Sequence, residues 1–251
     1  MNLYNTDCNI YMDDCIAKGI HFDYCITSPP YNMNLRIRDG KYVSRSPQGT
    51  NFDEFSKKYD NYNDDLPMQE YCKFLDSVIG KLLKICKITF FNIQAITGNK
   101  VALFQVLGKY ADNLKDVIIW DKTYAQPAMH ENILNSQFEF IFIFDSDKPY
   151  NRAFDFANFA RGTESNVWRI KTEQNLYNKA SFPEELVSRI LRDFTQENDT
   201  IFDPFSGSGT TGIVCSKMNR KFVGCELDKE MFEIAKKRIE KQEHISKSRL
   251  F

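Results

Sequence analysis

The sequence predicts an α/β fold built on one mostly parallel sheet. Three observations carry that reading. Strand-length apolar runs alternate along the chain with helical stretches whose apolar residues recur at i, i+3, i+4 and i+7. A glycine-rich turn stands between a short strand and a helix late in the chain. The composition is globular: of 251 residues 42% are hydrophobic, and 33 Lys plus Arg against 34 Asp plus Glu leave a net charge of −1. Disorder needs low hydrophobicity with large net charge and is excluded. With 11 Gly and 8 Pro, collagen-like and low-complexity chains are excluded too. The length suits one domain over residues 1–251.

The elements follow in order. Phe22–Thr27 (FDYCIT) reads as a buried strand that stops at Ser28-Pro29-Pro30. Met68–Lys84 places Tyr71, Phe74, Leu75, Val78, Ile79, Leu82 and Leu83 on one helical stripe. Ile88–Ile93, Val117–Trp120 and Phe138–Phe144 read as strands. Phe182–Phe194 reads as a helix with Ser181 as N-cap, Pro183 in the first turn and Glu184 at the third helical position. Thr200–Phe202 is a short strand, Gly212–Met218 opens a helix, Lys221–Cys225 is a strand, and Lys229–Lys241 is a charged amphipathic closing helix.

Two stretches lack periodicity. Residues 32–65 form a polar loop insert carrying Arg36, Arg38, Lys41 and Arg45. Residues 145–172 interleave Arg152, Arg161 and Arg169 with Tyr150, Phe154, Phe159 and Trp168. Structureless loops of this length are uncommon unless functional. The seven Cys lack C-x-x-C spacing and only three His are present, so no metal site is expected. Free thiols in apolar stretches suit a reducing, cytoplasmic setting. The N-terminus has no basic region before an apolar run, and no apolar run reaches membrane-span length, so no membrane partner is expected.

The glycine turn runs Thr200-Ile-Phe-Asp-Pro-Phe-Ser-Gly-Ser-Gly-Thr-Thr-Gly212. Gly207, Gly209 and Gly212 fit G-x-G-x-x-G, where backbone approaches a ligand closely and a helix N-terminus offers free N–H groups. No Lys follows the last Gly, so it is not a phosphate-binding P-loop. The next strand ends in Glu226, placed to accept the ribose hydroxyls of a nucleoside. The competing readings are a tight turn with no ligand and a solvated strand-end acid. Little sequence follows the turn, so the rest of the sheet comes from upstream, and both ends of the chain build one sheet.

Ser28-Pro29-Pro30-Tyr31 sits at the carboxyl end of a buried strand, where open α/β sheets place ligands. Two prolines supply no N–H groups, and their carbonyls are expected to be free to accept from a ligand's amino group. Ser28 adds a hydroxyl and Tyr31 a flat stacking surface. The set suits a planar ring bearing an exocyclic NH₂; the alternative is a rigid strand exit with a packed Tyr.

Thr27–Asn32 (TSPPYN) and Asp203–Gly212 (DPFSGSGTTG) together resemble the catalytic and cofactor motifs of the S-adenosylmethionine-dependent DNA methyltransferases that methylate amino groups. The cofactor motif comes second, as in the permuted beta class of that family. Asn166–Ile170, Ser181–Leu186, Gly224–Leu227 and Lys58–Tyr71 resemble further segments of that class, so the resemblance covers nearly the whole chain. It implies a Rossmann-like methyltransferase sheet, mostly parallel with an antiparallel strand, in circularly permuted motif order. It implies that Ser28, Pro29, Pro30 and Tyr31 hold the target base. It implies that Asp203, Phe205, Gly207 and Gly209 line the methionine part of the cofactor, with Thr210 and Thr211 starting the helix. Glu226 is implied at the ribose, Asp7 at the adenine amino group, and Phe182 on one side of the pocket. Asn178-Lys179-Ala180-Ser181-Phe182 departs from the family, which often has His-Pro before the aromatic. Residues 145–172 lie where the beta class carries target recognition.

The implied reaction is direct. An exocyclic amino nitrogen of a flipped base attacks the sulfonium methyl. Hydrogen bonds to the Ser28 hydroxyl and Pro29 carbonyl localise its lone pair and strengthen as charge develops. Ser at the head of the turn is commoner among cytosine N4 enzymes of the family and Asp among adenine N6 enzymes. Cytosine N4 is therefore favoured and adenine N6 is the alternative; a protein or RNA amino-methyltransferase ranks below both, and a nucleotide-binding oxidoreductase lower still. The expected partners are double-stranded DNA, a second copy in a homodimer, and a cognate restriction endonuclease that is not a stable subunit. DNA binding would make the cytoplasmic protein nucleoid-associated. Arg36, Arg38, Lys41, Arg45, Arg152 and Arg161 are the expected DNA contacts.

Overall fold

A computed structural model describes residues 1–32, 37–38, 41–42, 65–126, 131–173 and 182–248. Its elements in chain order are β1 (Asn2–Asn5), α1 (Cys8–Lys18), β2 (Phe22–Thr27), β3 (Ile37–Arg38), β4 (Lys41–Tyr42), α2 (Met68–Ile85), β5 (Cys86–Ile93) and α3 (Lys100–Lys109). There follow β6 (Leu114–Gln126), β7 (Ser136–Asp145), β8 (Val167–Arg169), α4 (Glu184–Phe194), β9 (Thr200–Asp203), α5 (Thr210–Lys217), β10 (Lys221–Glu226) and α6 (Lys229–Ser248).

Eight strands among the described residues form one sheet in the order β1-β10-β9-β2-β5-β7-β6-β8. Neighbours pair in parallel except β7, which runs antiparallel to β5 and β6. The pairing of β2 with β9 joins the two halves of the chain at the middle of the sheet. Successive strand residues serve opposite faces. Thus Cys25 and Phe91 enter the core under α1, α2 and α3, while Ile26 and Phe90 enter the core under α4, α5 and α6. On α2 the stripe Leu75, Val78, Ile79 and Leu82 is fully buried, at roughly 1.5–3 kcal/mol per side chain.

Several boundaries depart from the sequence reading. β1, α1 and α3 were not expected. α1 distributes polar and apolar residues around its circumference and leaves Ile10 exposed, so its periodicity is faint. β6 extends well beyond Val117–Trp120 at both ends because β7 supplies a long antiparallel partner. α4 starts at Glu184, not Phe182, with Pro183 extended before it at φ −70°, ψ 153° and without a capping side chain of its own; Glu173 Oε2 accepts from Glu184 N at 3.2 Å instead. Phe182 is drawn into the core, which keeps the entering chain extended; Ser181 lies outside the described residues. Six of the seven cysteines are buried, Cys72 being half-buried, and all are free thiols. No helix among the described residues is long and apolar enough to cross a membrane.

Candidate active site at the carboxyl edge of the sheet

β2, β9 and β10 end side by side, bringing Ser28, Asp203 and Glu226 to one edge. Asp203 is only 1% exposed. Its Oδ1 accepts from Thr27 Oγ1 at 2.8 Å and Phe205 N at 3.1 Å, and its Oδ2 accepts from Thr211 Oγ1 at 2.7 Å. Burial pushes its carboxyl up to about 6 against the pull of those donors. The carboxylate ties the residue before the Ser28–Tyr31 turn to the helix after the glycine turn.

Glu226 is 8% exposed. Its Oε2 accepts from Gly207 N and its Oε1 from Asp228 N, each at 2.8 Å, and burial pushes it up to about 7. It therefore clamps the glycine turn while keeping further lone pairs. Gly209 has φ +84°, and a Cβ there would stand 3.0 Å from Ala235 Cβ. The turn is Gly-rich because helix α6 packs against its backbone. Thr210 and Thr211 are buried at the start of α5, and half-buried Phe205 lies against Phe74. Asp7 caps α1: its Oδ1 accepts from Asn9 N at 2.7 Å and Ile10 N at 3.4 Å. Thr6 N and Asn5 Nδ2 both donate to the Glu226 carbonyl, which sets Asp7 beside Glu226. Phe182 joins the buried cluster of Ile26, Leu186 and Ile213.

The Ser28–Tyr31 turn is fixed from several elements. Tyr71 Oη donates to Pro30 O at 2.7 Å, and Asn99 Nδ2 donates to Tyr31 O at 2.8 Å. Buried Asn32, at φ 54°, exchanges hydrogen bonds with the Leu66 backbone. The expectation of two free proline carbonyls is corrected: Pro30's is taken by α2, and Pro29's has no protein donor among the described residues. The Tyr31 hydroxyl accepts from Ser28 Oγ at 3.0 Å and Asn92 Nδ2 at 2.8 Å, and donates to Glu139 Oε2 at 2.7 Å. Asn92 Nδ2 also reaches Glu139 Oε2 at 2.7 Å, and Lys122 Nζ pairs with Oε1 at 2.7 Å. Burial and the Glu139 charge raise the Tyr31 phenol well above its ordinary value, so it keeps its proton.

Asn92, Lys122 and Glu139 were missed from the sequence. One signal was present: Glu139 is a carboxylate inside FEFIFIF, the most apolar run of the chain, and such a residue is retained only with partners.

The basic residues divide. The backbone of Arg38 and Lys41 forms the short β3–β4 hairpin after the Ser28–Tyr31 turn; Arg36 and Arg45 lie outside the described residues. Arg152 and Arg161 are not brought to the turn. Because β7 is antiparallel, the chain leaves it at the amino edge, where Ser146 N bonds Lys87 O and Lys87 pairs with Asp155. Arg152 there makes a bidentate pair with Asp116, at 2.8 and 2.9 Å, near the start of β6. Arg161 is exposed in a turn three residues beyond Asn158, whose N–H donates to Asp193 O near the end of α4. Among the described residues no group of His, Cys, Asp and Glu could hold a metal ion.

Comparison with known proteins converges on one family. A family model described as DNA methylase (N6_N4_Mtase) matches residues 22–237. The chain is 26% identical to the type II methyltransferase M.HpaI of Haemophilus parainfluenzae, over 88% of this chain and 68% of that protein. It is 25% identical to the type II methyltransferase M.BglII of Bacillus subtilis, over 93% of this chain and 67% of that protein. Among solved structures, the M1.HpyAVI–SAM complex superposes with a TM-score of 0.62 at 20% identity, covering 94% of this chain and 98% of that one. The PvuII DNA methyltransferase, described as cytosine-N4-specific, superposes with a TM-score of 0.67 at 17% identity, covering 98% and 90%.

Proposed function

The chain belongs to the N6/N4 DNA methylase family, and on that premise we propose that it transfers a methyl group from S-adenosylmethionine to the N4 amino group of cytosine in double-stranded DNA. The observation that carries this reading is the Asp203 tie. One buried carboxylate holds the Ser28-Pro29-Pro30-Tyr31 turn and the glycine turn in a single geometry.

The residues present fit the cofactor. A buried strand-end carboxylate stands beside a turn too tightly packed for a Cβ at Gly209, and the Asp7 Oδ2 has no protein donor among the described residues. Glu226 would hold the ribose hydroxyls, Asp7 the adenine amino group, and the Phe205–Gly209 backbone the methionine part. Phe182, Thr210 and Thr211 support the pocket through the core and the start of α5. When bound, S-adenosylmethionine supplies an electrophilic methyl group. Ser28 Oγ and the Pro29 carbonyl accept from the base's NH₂, localising its lone pair. Flipping the base out costs a few kcal/mol, which stacking on the half-buried Tyr31 ring offsets in part. Ser28, a neutral hydroxyl at the head of the turn, supports cytosine N4 over adenine N6.

The residues following the catalytic turn, with Arg36, Arg38, Lys41 and Arg45, would grip DNA beside the flipped base; Arg152 and Arg161 would act only on DNA reaching the far edge. A homodimer and a separate cognate endonuclease complete the reading. Incubating the protein with labelled S-adenosylmethionine and duplex DNA, then analysing nucleosides by mass spectrometry, tests it. N4-methylcytosine is expected. N6-methyladenine would transfer the reading to adenine, and no methylated nucleoside would overturn it.

A further inference from the structure

We propose that Ser28, Tyr31 and Glu139 form a proton relay that takes the proton released when the amino group is methylated; this rests on the methyl-transfer reading above. The hydrogen bonds run one way. Glu139 accepts from the Lys122 ammonium at Oε1 and from Asn92 Nδ2 at Oε2, which places it as the acceptor at the end of the line. Tyr31 has one hydroxyl proton, and it points to Glu139 Oε2 at 2.7 Å. Ser28 Oγ, 3.0 Å from the Tyr31 oxygen, then donates to it and keeps its lone pairs for an incoming N–H.

Asn92 strengthens the case. Its amide nitrogen serves both Tyr31 and Glu139, while its buried Oδ1 has no partner. An unsatisfied buried acceptor is a cost that calls for a reason. Turning the amide over would set Oδ1 against the Glu139 carboxylate, acceptor facing acceptor. The orientation seen is the one that holds Tyr31 and Glu139 in line.

The relay balances. The amino nitrogen's lone pair forms the new N–C bond while the methyl–sulfur bond breaks, its electron pair going to sulfur. The nitrogen's proton passes to Ser28 Oγ, the Ser28 proton to Tyr31 Oη, and the Tyr31 proton to Glu139 Oε2. Both hydroxyls end as they began, and Glu139 ends protonated beside Lys122, to be discharged to water after product release. Glu139 acts through the two hydroxyls and is a positioning residue in contact terms, since it never touches the base.

The test uses single-turnover methyl transfer by the full chain with duplex DNA, comparing wild type with Y31F, E139Q and the double variant. Y31F removes one oxygen and leaves the Glu139–Lys122 pair, which guards against a folding failure in E139Q. Each single variant is expected to lose roughly 10²–10⁴-fold in transfer rate, and the double variant no more than either. Affinity for DNA and for S-adenosylmethionine is expected to change less than about threefold. The wild-type solvent deuterium isotope effect, with a curved proton inventory, is expected to fall toward unity in Y31F. Independently of turnover, an infrared difference between free wild type and E139Q must show loss of an ionised carboxylate. Variants within about threefold of wild type, additive losses, or a protonated Glu139 in the free protein would each overturn the relay. A wild type that methylates no DNA would overturn the functional reading and the relay together.

Discussion

Glu226 makes the stability of the free protein fall as pH rises through neutrality. Burial moves its carboxyl from an ordinary 4.5 up to about 7, against the pull of the Asp228 and Gly207 amides. A folded-state value above the unfolded one means the folded chain holds the proton more tightly. Below about 4.5 both states are protonated and the favourable contribution is complete; it is lost as pH climbs through about 7. At about 1.4 kcal/mol per pH unit, the gap from 4.5 to about 7 is worth roughly 3 kcal/mol, of which roughly 2–3 kcal/mol falls between pH 5 and pH 8. Glu226→Gln removes the titration but keeps the shape. Urea unfolding of both proteins at half-unit steps from pH 5 to pH 8 measures it. The wild-type free energy, minus that of the variant, is expected to drop by roughly 2–3 kcal/mol over that window. S-adenosylmethionine affinity should run the opposite way in wild type, tightening with pH, because in the proposed site the ribose hydroxyls would donate to the ionised carboxylate. Parallel stability curves for the two proteins would refute the reasoning.

Gly209→Ala places a Cβ at φ +84° and 3.0 Å from Ala235 Cβ; a stability loss of about 2–3 kcal/mol by denaturant unfolding is expected, with loss of cofactor binding by calorimetry. Arg36→Ala combined with Arg38→Ala is expected to weaken DNA binding and flatten its salt dependence without changing cofactor affinity. Arg152→Ala, whose guanidinium serves Asp116 at the amino edge, is expected to leave DNA affinity within about twofold and to cost at most about 1 kcal/mol of stability.

The parts of this molecule that were legible in sequence are those where one local constraint dominates. The α2 stripe needs only helical period, and the Ser28–Tyr31 and Gly207–Gly212 turns need only backbone chemistry. α1 was not legible because its polar and apolar residues fall on no clear face; it is held against α2, where Ser77 and Lys81 bond Asn9 and Asp13. The 145–172 stretch was legible as basic and aromatic, but its location was not. Which edge it occupies depends on the direction of β7, and the apolar pattern of a strand is the same read either way. Lys122 and Glu139 meet only because the β6–β7 hairpin pairs Trp120 with Glu139. Lys122 alone reads as an ordinary charge beside a strand, and the Glu139 carboxylate inside the apolar run was the one mark of a buried partner.

The permuted order of the motifs raises a mechanical problem that Asp203 answers. The Ser28–Tyr31 turn and the glycine turn leave adjacent strands, yet Thr27 and Asp203 are 176 residues apart in the chain, so no local covalent linkage sets their relative position. The backbone pairing of β2 with β9 ends at Cys25 and Phe202, short of both turns. A carboxylate at the end of β9 accepts at once from the end of β2, from its own loop and from α5, which a hydrophobic side chain could not do. The cost is a buried charge, visible in the rise of its pKa to about 6. A buried ion or acid is weak evidence for stability and is better understood where it fixes one arrangement among several. Here the arrangement fixed sets Ser28, one residue beyond Thr27, and the glycine turn, between Asp203 and Thr211, to a common origin.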